Sequence, residues 1–125
     1  MPLVRIDLKR GKSTVFRRAI ADQVHKALVE EANVPAKDLF HVIVEHDDGL
    51  VYSPEYLGIR HTDEIVIILV TFLAGRTVEV KKALYRRIAD LLEEHPGVPR
   101  DDVIIGLVEG GRENWSFGRG EAQYV

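Results

Sequence analysis

Shifted by 64 residues, the chain lies over itself without a gap. Gly11-Lys12-Ser13 falls on Gly75-Arg76-Thr77, Ala19 on Ala83, Leu28 on Leu92 and Glu30 on Glu94. Further on, Val34-Pro35-Ala36-Lys37-Asp38 falls on Val98-Pro99-Arg100-Asp101-Asp102, and Val44-Glu45 on Val108-Glu109. A period this long is not that of a solenoid. It marks two copies of one supersecondary unit, so the fold must be one that a single unit builds twice.

Each copy reads strand, turn, helix, loop, strand. Strands are expected near 2–8, 39–45, 65–73 and 103–109, and helices near 14–32 and 78–94. Phe16, Ile20, Val24, Ala27 and Leu28 recur at helical spacing in the first copy, as do Val80, Ala83, Leu84, Ile88, Leu91 and Leu92 in the second. Ser13 and Thr77 stand at equivalent helix starts as N-caps. A strand-helix-strand unit of this length has parallel strands and a right-handed crossover. The chain is therefore expected to be one α+β domain over 1–125. Its repeats cover about 2–46 and 65–110, with a linker at 47–64, a tail at 111–125, and a four-stranded sheet bearing two helices on one face.

Composition narrows the function. With no cysteine, thiolate nucleophiles and disulfides are excluded. A formal charge of −3 argues against a general nucleic-acid binder. The longest apolar stretch, Ile65 to Ala74, is too short for a membrane helix and suits a strand buried on both faces. No secretory signal is visible, and a soluble, cytoplasmic protein is expected.

The halves differ where chemistry could reside. Met1 is expected to be trimmed before the small residue Pro2, leaving a free secondary amine at the edge of a sheet. Such an amine titrates near 8 when unperturbed and could serve as acid, base or nucleophile. Pro2 aligns with Val66, which has no free amine, and Lys12 aligns with Arg76. Arg76 precedes a helix N-terminus, where it is either a carboxylate site or a solvated turn cation. Asp38 begins the second strand, near Pro2 if the two strands are neighbours; because Asp102 repeats it, a structural turn aspartate also explains it. Trp115 and Phe117 are either core residues or a wall over a site. Gly11-Lys12-Ser13-Thr14 lacks the earlier glycine of a phosphate loop, since Ile6 stands there. His41, Glu45 and His46 lack a metal-binding spacing and read as solvated strand-end residues. No metal or cofactor is expected.

Pro2-Leu3, Ile6-Asp7-Leu8, Val34-Pro35 with Asp38, Asp102-Val103-Ile104, Val108-Glu109 and above all Trp115-Ser116-Phe117-Gly118-Arg119-Gly120 resemble the tautomerase superfamily, most closely its malonate semialdehyde decarboxylase group. The resemblance implies duplicated β-α-β units about a pseudo-twofold axis, a mixed sheet antiparallel between units, and a homotrimer. It implies Pro2 as catalytic amine, Asp38 as its acidic partner, Arg76 as the holder of the substrate carboxylate and Trp115 with Phe117 as an apolar wall. Well-known members carry two arginines around the turn where this chain has Leu73-Ala74-Gly75-Arg76; only Arg76 matches. The implied activity is cofactor-free decarboxylation of a small 3-oxo acid such as malonate semialdehyde. The alternatives are a keto-enol tautomerase of 2-oxo acids such as phenylpyruvate, with side hydratase activity, or a non-catalytic trimeric binding protein. If Asp38 faces Pro2, its attraction is expected to outweigh burial and hold the amine above its ordinary value.

Overall fold

A computed structural model describes all 125 residues. The first unit runs β1 (Leu3–Lys9), α1 (Thr14–Glu31), β2 (His41–His46), and the second runs β5 (Val66–Leu73), α2 (Val78–Glu94), β6 (Val103–Gly110). Between them the linker carries a small hairpin, β3 (Glu55–Tyr56) and β4 (Ile59–Arg60). The hairpin was not expected; its turn is made by Leu57 and Gly58 at positive φ, the backbone that a tight hairpin requires.

The sheet order is β2-β1-β5-β6. Within each unit the strands are parallel, while β1 and β5 run antiparallel, so the sheet is mixed. This alternation carries the starts of β1 and β2 and the ends of β5 and β6 to one end of the molecule.

Alternation sets the faces. Val4, Ile6 and Leu8 of β1 and Val66, Ile68, Val70 and Phe72 of β5 are at most 2% exposed, and they meet Ile20, Val24 and Leu28 of α1 and Leu84, Ile88 and Leu92 of α2. Both helices start as expected: Phe16 N donates to Ser13 Oγ at 3.0 Å and Val80 N to Thr77 Oγ1 at 3.2 Å. The opposite sheet face is uncovered. Leu3, Val42, Leu69 and Val108 there are 40–47% exposed, so the Ile65–Ala74 stretch is not buried on both faces within one chain. No helix is long and apolar enough to cross a membrane.

Candidate active site

The strand registers locate the amino terminus. Val4 lies beside His41, so two residues back Pro2 lies beside Leu39 and Met1 beside Asp38. Leu3 lies beside Thr71, so Pro2 lies beside Phe72 across the other neighbour. Pro2 is buried. Met1 precedes it, and the Met1 α-amine lies one residue ahead of the nitrogen that trimming would free on Pro2. That amine is 3.9 Å from Asp38 Oδ2. Its pKa is pulled below the ordinary value: burial is the main cause, Asp38 opposes it, and Arg76 adds to it. At the Met1 amine, then, burial outweighs the carboxylate, the reverse of the order expected for a terminal amine facing Asp38.

Arg76 follows β5 and folds back over the Phe72 ring, its guanidinium carbon 4.3 Å from the ring centroid. Nε and Nη2 donate to Ala32 O at 3.1 and 2.9 Å, and Nη1 donates to Leu73 O at 2.9 Å. Ala32 caps the C-terminus of α1. A cation that opposes the dipole of α2 is thus offset by the carbonyl end of α1. Three of the five guanidinium N–H bonds are engaged, leaving two by count for a ligand. Burial lowers the arginine pKa and Glu109 partly restores it, without neutralising the group.

The equivalent positions of the other copy are quenched. Lys12, the counterpart of Arg76, is ion-paired to Glu64 at 2.5 Å. Asp102, the counterpart of Asp38, is 1% exposed and accepts from Thr62 N at 2.7 Å and Thr62 Oγ1 at 2.6 Å. Two linker residues therefore satisfy both charged groups at that end. At the amino-terminal end Arg76 holds only carbonyls, and the only charged group close to Asp38 is the amine.

The tail closes over this end. After a short 3-10 turn at Arg112–Asn114, Trp115 stacks on Phe117 with ring centroids 5.6 Å apart and planes 10° from parallel. Phe117 meets Tyr124 edge-on at 4.9 Å. The Tyr124 hydroxyl is pushed up in pKa by burial first and by the charge of Asp38 second, with Arg112 opposing. Trp115 lines a hollow of about 280 Å³ with Leu3, Phe72, Val108 and Glu109. Pro2, Asp38, Arg76, Trp115 and Phe117 thus gather around one end of the sheet, through Phe72, Tyr124 and the amine.

Tyr124 and Glu109 were not singled out as site residues from sequence. Tyr124 lies six residues past the Trp-Ser-Phe-Gly segment in a glycine-rich tail whose path has no periodic signal. Glu109, ion-paired to Lys81 at 2.5 Å, repeats Glu45, which is paired to Arg17 at 3.1 Å. The repeat marks it as part of the scaffold in both halves. His41, Glu45 and His46 diverge: Glu45 meets Arg17, His46 Nε2 meets Asp7 at 2.6 Å, and His41 packs edge-on to His25 at 6.0 Å. No three His, Asp or Glu side chains converge on a point that could hold a metal ion.

Two sequence models of the family described as tautomerase enzyme match, over residues 38–118 and 2–60. The probable tautomerase YusQ of Bacillus subtilis (strain 168) is 41% identical over 126 aligned residues, covering 100% of this chain and 99% of its own. The crystal structure of FG41 malonate semialdehyde decarboxylase inhibited by 3-bromopropiolate has a TM-score of 0.91 at 42% identity, covering 98% of this chain and 93% of that one. A second malonate semialdehyde decarboxylase, known in wild-type, mutant and inactivated forms, has a TM-score of 0.90 at 32% identity, with coverage of 98% and 95%. With likeness of this extent running from the first strand through the aromatic tail, the chain belongs to the tautomerase superfamily and is an enzyme of it.

Proposed function

We propose that the trimmed chain decarboxylates malonate semialdehyde through Pro2. The observation that carries this is the asymmetry between the two ends. Only at the amino terminus are an arginine without a carboxylate partner and an aspartate close only to the amine set beside a terminal nitrogen. Two solved structures described above, at 42% and 32% identity, are named as malonate semialdehyde decarboxylases.

Arg76 grips the substrate carboxylate with its two remaining N–H bonds and sets the breaking bond against the carbonyl π-system. Protonated Pro2 hydrogen-bonds to the aldehyde oxygen. The C–C bond to the carboxylate breaks, its electron pair enters an enolate stabilised by that proton, and carbon dioxide leaves. A proton on the enolate carbon gives acetaldehyde, so one proton is consumed per turnover. Asp38 favours the charged amine, and the Trp115–Phe117 stack excludes water. The sheets of three chains cover one another, completing a homotrimer around the uncovered face; a fused 4-OT with this fold is described as a symmetric trimer.

One observation favours a second reading. Burial draws the Met1 amine toward its neutral form, and the same buried surroundings acting on Pro2 would favour the neutral amine that a keto-enol tautomerase of 2-oxo acids needs as a base. The two activities separate in one experiment. Trimmed protein, verified by intact mass, is assayed with malonate semialdehyde and phenylenolpyruvate while nitrogen-15 Pro2 is titrated by NMR. Acetaldehyde formation should dominate, and Arg76→Ala should lower its kcat/KM by about 100-fold or more, the loss of a charge-assisted carboxylate grip. A Pro2 pKa near 6, as a rough figure for a neutral base, with ketonisation far faster than decarboxylation, would establish the tautomerase instead.

A further inference from the structure

The aromatic stack that covers the site belongs to a segment with little core to hold it. Trp115 and Tyr124 are half-buried, Phe117 is 37% exposed, and the residues between Phe117 and Tyr124 are exposed. The chain reverses there through Gly118, Arg119 and Gly120, all at positive φ. Two backbone bonds help to close the tail, Glu121 N to Gly118 O and Val125 N to Ala122 O, both long at 3.3 Å. Free aromatic side chains on a glycine-rich loop sample many arrangements, and ordering them costs entropy.

Gln123 supplies what the backbone does not. Its Oε1 accepts from Phe117 N at 2.9 Å, and its Nε2 donates to Gly118 O at 2.9 Å. The side-chain amide thus grips both ends of the Phe117–Gly118 backbone as a paired strand residue would. Because Gln123 precedes Tyr124, the same two bonds that fix Phe117 also set the start of the edge-on Phe117–Tyr124 contact. The segment carries two anchors, the ring contacts and this amide, and the amide is the directional one.

We propose that Gln123 is a positioning residue, clipping the Phe117–Gly118 backbone so that Trp115, Phe117 and Tyr124 form a fixed wall over the carboxylate-binding end. This rests on the reading that the wall covers the substrate. Gln123 touches neither substrate nor amine. It acts on how tightly the closed site holds a small acid.

The chain has one tryptophan, at the stack itself, which reports on the wall without any turnover. The test compares Gln123→Ala, Gln123→Glu and Gln123→Asn by Trp115 fluorescence anisotropy, near-UV circular dichroism, thermal unfolding and steady-state kinetics. Gln123→Ala should lower the anisotropy and the near-UV signal while leaving the unfolding midpoint unchanged. KM should rise about 3- to 10-fold and kcat change less, the signature of lost binding rather than lost chemistry. Gln123→Glu keeps the acceptor and loses the donor, so it should fall between Ala and wild type. Gln123→Asn, a methylene short, should behave as Ala. Wild-type anisotropy and KM in Gln123→Ala would overturn the clip. So would a fall in kcat with KM unchanged. If the wild-type protein proves inactive on both substrates, the proposed function fails, while the optical signals still decide whether Gln123 holds the wall.

Discussion

At the scale of single residues, environment matters more than identity. Asp38 and Asp102 hold the same place in the repeat, three residues after a Val-Pro pair, yet one faces an amine at 3.9 Å and the other is buried under two hydrogen bonds from Thr62. His41 is a similar case. Its sequence context reads as a solvated strand end, but both ring nitrogens are buried without a partner, and its pKa is pushed down to about 4. Burial is the main cause, the ring of His25 adds to it, and Asp22 opposes it. A histidine that is neutral when folded and titrates near 6.5 when unfolded takes up its proton first in the unfolded chain. Its contribution to stability is complete above about 6.5 and fades as pH falls, reaching its floor below about 4. Urea midpoints at pH 7, 5.5 and 4 should therefore fall more steeply in wild type than in His41→Asn. Parallel slopes would show that His41 is not the source.

Among elements, the linker has more influence than its composition suggests. Replacing Asp102 with Ala strips Thr62 N–H of its buried acceptor, which should cost about 2–3 kcal/mol in urea unfolding. Replacing Asp38 with Ala should cost about 0.5 kcal/mol or less, because it loses one distant amine contact. Equal costs for the two would contradict the division of labour between them. The six principal strands and helices were legible because each carries its own period. Alternation fixed Val4, Ile6 and Leu8 inward, and helical spacing fixed Ile20, Val24 and Leu28. The sequence shows that the second copy lacks a free amine and carries Lys12 opposite Arg76, but not what satisfies its charges. Thr62 reaches Asp102 across 40 residues, and Glu64 reaches Lys12 from the start of the neighbouring strand, far along the chain. No local pattern announces a side chain that answers a charge so far along the chain. The linker hairpin escaped for another reason: each strand has two residues, too few for a period to show.

At the scale of the whole molecule, the uncovered sheet face is the outstanding debt of the fold. Leu69 lies at its centre, 41% exposed, and Gly106 beside it leaves room for the leucine, whose Cδ1 would be 3.1 Å from any added Cβ. Leu69→Asp places a charge where a second copy should pack, so light scattering at micromolar concentration should show smaller particles than wild type. A wild-type protein that is already monomeric would remove the homotrimer from the proposed function. The sealed end of the molecule has a different consequence. There Glu64 and Thr62 hold Lys12 and Asp102 in place, and the proposed function puts no reacting group among them. Natural enzymes usually give up stability where they act, so stabilising changes near an active site often lower activity. Under the proposed function, that conflict is confined to one end of this duplicated chain. The other end, built from the same unit, is open to redesign for heat tolerance, and substitutions around the Glu64–Lys12 pair can be selected for stability alone.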